Sequence, residues 1–158
     1  MRKIYIESTI PSYYTAKPSK IPKTHERQIL TKKFWSYATD FFDLYISTMV
    51  LIEIKRGDPE VAEARRLAIL PFKLIQVSEN DNELAEVYVR MLKLPQDARA
   101  DAVHIAAACL HKMDYLITWN CNDIANGQNL RKIQDYNLKH KIHIPVLTTP
   151  ELFMGEDK

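Results

Sequence analysis

The chain has 158 residues, 46% of them hydrophobic and 27% charged, which suits one soluble domain with a real core and excludes wholesale disorder. A net charge of +2 does not announce a nucleic acid by itself, so any basic surface must come from local clustering. Two cysteines without a CxxC pair argue against a disulfide scaffold or a zinc module. Met1-Arg2-Lys3 leads into a short apolar stretch closed by Glu7, unlike a signal peptide, and no apolar run approaches the ~20 residues of a membrane span. The expectation is one domain over residues 1–158, with a tail at 155–158, in a cytoplasmic protein.

Arg2 to Glu7 reads as a strand, and its unbroken Ile4-Tyr5-Ile6 suits burial on both faces, as in a parallel sheet. A short helix follows Ser8, with Pro11 in its first turn. Residues 15–23, with Pro18, Pro22, Lys17, Lys20 and Lys23, read as an exposed loop. His25 to about Phe42 is a helix with Ile29, Phe34 and either Tyr37 or Ala38 inward. Leu44-Tyr45-Ile46 is a second strand, and Ser47 or Thr48 caps a helix running to Gly57. Asp58-Pro59 starts another, ending near Leu70.

Leu74 to Val77 is a third strand, and Ser78 with Asp81 forms a capping box for a helix to about Leu92. After Pro95 comes an alanine-rich helix whose stripe of Ala98, Ala102, Ile105, Ala106 and Cys109 marks it as central and buried. Asp97 reads as its cap, and Asp101 lies four residues on, on the same face. Tyr115 to Thr118 is a fourth strand, 120–127 a polar loop, and 128–140 an exposed amphipathic helix. Pro145-Val146-Leu147 is the last strand, followed by a short helix capped at Thr149-Pro150. Strands alternating with helices predict an α/β fold with a central parallel sheet.

In such a sheet, sites form beyond the carboxyl ends of the strands. Glu7 closes the first strand, Glu53 lies in the helix after the second, Asp101 opens the central helix, and Asn120, Asn122 and Asp123 follow the fourth strand. Singly each has an ordinary reading: a strand-ending polar residue, a solvated helix charge, a helix-dipole partner, turn formers. Together they recur at equivalent places in successive units. Converging acids repel and call for a cation, and hard oxygen ligands select Mg²⁺ or Mn²⁺ over zinc. His104 reads as a packed or hydrogen-bonded helix residue. His140 and His143 have no partners for a metal pair. Three glycines allow no phosphate-binding loop.

The blocks Tyr5-Ile6-Glu7-Ser8-Thr9, Ile46-Ser47 with Ile52-Glu53-Ile54-Lys55-Arg56-Gly57, Asp101-Ala102-Val103-His104-Ile105-Ala106-Ala107-Ala108 and Tyr115-Leu116-Ile117-Thr118-Trp119-Asn120 resemble, in order, the four motifs of a PIN domain. The look is that of the VapC-like ribonuclease toxins of type II toxin–antitoxin modules. The resemblance implies a three-layer α/β/α sandwich and a metal-dependent endoribonuclease. By it, Glu7 and Asp101 are ligands of one or two Mg²⁺ or Mn²⁺ ions, and Glu53 is a ligand or orients metal-bound water. Either Asn120 or Asp123 fills the fourth position. It further implies a homodimer and a small antitoxin as partner.

The chain departs from that pattern twice. Glu7 and Asn120 stand where the family usually has aspartate, one a methylene longer and the other uncharged. These exchanges favour an alternative, a catalytically degenerate PIN domain that binds RNA or a protein. For an RNA substrate, Lys17, Lys20, Lys23, Arg27, Lys32 and Lys33 form one basic group, and Arg131, Lys132, Lys139 and Lys141 another. Tyr13, Tyr14 and Trp119 adjoin the candidate site as base-stacking surfaces or as core, with core the better reading for Trp119.

Overall fold

A computed structural model of the protein describes residues 1–155. In chain order the elements are β1 (Lys3–Ile6), α1 (Thr9–Thr15), α2 (Pro22–Phe41), β2 (Asp43–Ser47), α3 (Thr48–Ile54), α4 (Pro59–Ile69) and β3 (Lys73–Ile75). Then come α5 (Glu79–Leu92), a 3-10 turn (Gln96–Ala98), α6 (Arg99–Leu110), β4 (Tyr115–Ile117), α7 (Gly127–His140), β5 (Val146–Thr148) and α8 (Pro150–Met154). The tail expected over 155–158 lies, beyond Gly155, outside the described residues.

The five strands pair in parallel in the order β3-β2-β1-β4-β5, giving the expected three-layer α/β/α, PIN-like sandwich. The chain steps outward from β1 through β2 to β3, then crosses back to place β4 on the other side of β1. That reversal puts a crevice at the carboxyl ends of β1 and β4, the place where an open α/β sheet binds its ligands. Ile4, Tyr5 and Ile6 are fully buried, so the apolar run of β1 is covered from both faces. Every residue of α6 from Ala102 to Cys109 is buried, and the alanines let α6 sit close against its neighbours.

Local chemistry sets most element boundaries. Ser47 caps α3 by accepting from the Val50 N–H, and Asp58, with Pro59 behind it, caps α4. The α3 helix stops at Ile54, short of Gly57, whose φ of +87° forms the turn into α4. The reciprocal Ser78–Asp81 capping box opens α5 as expected. Ser78→Ala should lower the unfolding free energy by about 1 kcal/mol. Urea denaturation with an unchanged slope would register it, and no loss would deny the cap a role in stability.

Two expectations are corrected. Ile29 is 44% exposed, while Gln28, Thr31, Phe34, Trp35 and Ala38 form the buried stripe of α2. Gln28 takes the inward position because its amide accepts from the Ser19 N–H and donates to the Lys17 carbonyl, pinning the preceding loop and satisfying a polar group that burial would otherwise penalise. Asp97 does not cap the central helix: it is exposed in the 3-10 turn, and Ala98 occupies the cap without a side-chain bond. The tighter turn ends the helical spacing that would have placed Asp97 and Asp101 on one face.

Candidate functional site

Glu7 leaves β1 at its carboxyl end and is buried. Its Oε1 accepts from the Thr9 N–H at 3.1 Å, the Thr9 hydroxyl at 2.5 Å and the Thr118 hydroxyl at 2.6 Å. Thr118 in turn accepts from the Asn120 N–H, and Thr9 from the Trp119 N–H. The two threonines thus tie the ends of β1 and β4 to one carboxylate.

Glu53, in the last turn of α3, turns toward the same space. Its Oε1 lies 2.5 Å from Ser8 Oγ, which donates to it, and 2.5 Å from His104 Nε2. Burial alone would raise the Glu53 carboxyl, but the hydrogen bond and charge of His104, with the Ser8 hydroxyl, outweigh it and hold the group below its ordinary value. Burial would lower His104, and Glu53 reverses that too, so the imidazole is raised. The packed, hydrogen-bonded reading of His104 holds.

Asp101 stands apart from the two glutamates in how it is held. Among the described residues no hydrogen bond or ion pair reaches its side chain. Burial pushes its carboxyl up to about 7, against the favourable charge of His104, and the charges of Glu7, Asp123 and Glu53 push the same way as burial. An acid so placed stores electrostatic free energy that a cation would release.

Glu7, Glu53, Asp101 and Asn120 line one cleft of about 300 Å³, joined by Ser8, Ser12, Tyr13 and Arg65. Ligand atoms of Glu7, Glu53 and His104 all lie within 4.8 Å of one another. Asn120 Oδ1 accepts from the Asp123 N–H at 3.1 Å, so the residue at the fourth position also folds its own loop. Asp123 is absent from the cleft wall, although its charge is felt at Asp101. Of the basic and aromatic candidates, Tyr13 lines the cleft, and Lys17 and Lys20 are exposed just beyond α1. Arg131 lies on α7 and pairs with Asp135 at 3.2 Å. Tyr14 stacks on Trp35 with centroids 3.8 Å apart, and Trp119 is buried, which bears out its reading as core.

Arg65 carried no signal in the sequence. It arrives from α4, donates Nη1 to the Ile54 and Arg56 carbonyls at the end of α3, and presents the one guanidinium of the cleft wall. Ser8 and Thr9 had a faint signal, as two hydroxyls directly after a buried strand and its acid.

No family model and no curated protein matches the sequence. Among solved structures, the chain is similar to one described as VapBC2 from Rickettsia felis bound to a DNA fragment from their promoter. The TM-score is 0.59 at 13% identity, over 93% of this chain and 98% of that one. It is also similar to a toxin–antitoxin complex from Klebsiella pneumoniae, with a TM-score of 0.55 at 20% identity, over 80% of this chain and 93% of that one. At such identities the likeness is one of fold. The chain shares the architecture of these two structures, and its acids Glu7, Glu53 and Asp101 line one cleft of that architecture.

Proposed function

We propose that the cleft is the Mg²⁺ or Mn²⁺ centre of an endoribonuclease, and that the chain is the toxin of a toxin–antitoxin pair. The observation that carries the reading is Asp101, a cleft carboxylate that no side-chain hydrogen bond or ion pair reaches among the described residues, raised by burial beside two further acids. The donor set fits such an ion: Glu7, Glu53 and Asp101 offer carboxylate oxygens, and His104 Nε2 is already engaged by Glu53. When bound, the ion would supply Lewis acidity toward a phosphodiester and lower the pKa of a water.

The remaining work falls to the chain. Glu7, held by Thr9 and Thr118, presents a fixed carboxylate, and Asp101 presents one free to engage. Arg65 lies where a substrate phosphate would meet a fixed positive charge. Tyr13 offers a ring to a base, Lys17 and Lys20 add exposed positive charge just beyond α1, and Arg131 on α7 adds charge of its own. The two neighbouring folds support a small antitoxin as partner, and self-association as a homodimer completes the reading.

A second reading rests on Asn120, whose carbonyl is spent on its own loop and which brings no charge. In it the cleft binds RNA or a protein without cutting. Calorimetry with Mn²⁺ on the wild type and Asp101→Asn, beside cleavage of a fluorogenic RNA, separates the two. Binding and cleavage both lost in the variant support the nuclease. RNA retention without cleavage or ion dependence supports the binding module. Two folded proteins that take up no Mn²⁺ would end the metal reading.

A further inference from the structure

Behind the cleft a file of polar groups runs into the core. Ser47 Oγ lies 2.6 Å from Tyr5 Oη, and Tyr5 Oη lies 2.6 Å from His104 Nδ1. His104 Nε2 lies 2.5 Å from Glu53 Oε1. Tyr5, Ser47 and His104 are each fully buried. The file crosses β2, β1, α6 and α3, so it links the sheet to the acid of the cleft. Such groups are costly to bury unless every proton finds an acceptor.

The protons can be placed. Burial, opposed by the bond to Ser47, raises the Tyr5 phenol well above its ordinary value, so it keeps its proton. In one consistent arrangement Ser47 donates to Tyr5, Tyr5 donates to Nδ1, and the ring proton resides on Nε2 and is donated to Glu53. If the ring is charged, Nε2 still donates to Glu53, and Nδ1 donates to Tyr5. Both arrangements put a donor on Glu53 Oε1 beside the Ser8 hydroxyl, leaving Oε2 as the oxygen to which neither group donates.

We propose that His104 is a positioning residue for Glu53: with Tyr5 and Ser47 behind it, it fixes the rotamer and the free oxygen that Glu53 offers to the cleft. It is not itself a ligand, since both ring nitrogens are engaged and the ring is sealed from solvent. Outer partners of this kind typically set metal affinity by 10–100-fold. In its effect on ions the inference rests on the metal reading of the cleft. The bond from Nε2 does not.

Two amide substitutions that replace different ring nitrogens separate positioning from filling. His104→Gln carries an amide nitrogen near the place of Nε2, and His104→Asn carries one near Nδ1. Mn²⁺ calorimetry on both, at a temperature where thermal melts show each variant folded, should show affinity within about threefold of wild type for the Gln variant and a loss of about tenfold or more for the Asn variant. Equal affinities in the two variants would overturn the proposal. If the wild type itself takes up no Mn²⁺, the metal reading has failed, and imidazole ¹⁵N spectra decide the positioning separately. A protonated Nε2 whose shift moves in Glu53→Gln supports it, and an unprotonated Nε2 ends it.

Discussion

Asp101→Asn is expected to stabilise the metal-free protein above neutral pH, an advantage that Mn²⁺ should shrink and, in large excess over its dissociation constant, reverse. The first half follows from linkage. Burial raises the Asp101 carboxyl to about 7 in the folded chain, with the charges of Glu7, Asp123 and Glu53 adding to burial against that of His104. An unfolded aspartate titrates near ~3.9. Between those values the folded state holds a proton that the unfolded state releases, so stability falls as pH rises through the window. Above about 7 the whole penalty is present, and near pH ~4 it has vanished. Asparagine, uncharged throughout, escapes it.

Chelator-treated wild type and variant should therefore differ most at alkaline pH, and their difference should shrink on acidification. Adding the ion should narrow the difference, and reverse it only where the ion stands more than about a thousandfold above its dissociation constant, because a ligand held only by the folded state stabilises by about 2.7 kcal/mol at a hundredfold excess and about 4.1 at a thousandfold. Denaturant midpoints across pH, with and without Mn²⁺, measure both halves. A difference constant with pH would mean that the carboxyl is not raised. A difference between the two proteins that Mn²⁺ leaves unchanged would mean that Asp101 does not hold the ion.

The parts of this molecule legible in the sequence are those where one local signal dominates. Ile4-Tyr5-Ile6 has no polar face, and Ala98 through Cys109 has almost none, so a buried strand and a buried helix follow directly. The cleft was legible one step further on, through topology. Glu7, Glu53, Asp101 and Asn120 each sit just after a strand or at a helix near one, and a parallel sheet gathers such positions at one end. Where tertiary partners decide, the sequence is silent. Gln28 displaces Ile29 from the core because the loop at 17–19 needs its amide. Asp97 has the composition of a cap yet lies in a 3-10 turn, which composition does not distinguish from a helical one. The pairing of His104 with Glu53 spans α6 and α3, and Arg65 reaches the cleft from α4. No spacing rule reports such meetings.

Trp119→Ala is expected to cost about 3–5 kcal/mol, the range for removing a large buried ring. The residue is 5% exposed and stands between the site and the core. Its indole N–H donates to the Thr31 hydroxyl at 2.8 Å, and Arg27 lies over the ring at 4.9 Å. Its backbone N–H donates to Thr9, the same hydroxyl that supports Glu7. Thr31 keeps its bond to the Arg27 carbonyl when the indole is gone, so the cost comes from the cavity and the lost cation–π contact rather than from an orphaned hydroxyl. Trp119→Phe retains most of the apolar volume and should lose clearly less. Urea midpoints for the two variants at equal slopes test this. A loss below 1 kcal/mol for the alanine variant would mean that the loop from Trp119 to Asp123 is held by its own turn bonds, such as Asn120 to Asp123, and not by the ring that anchors it to α2.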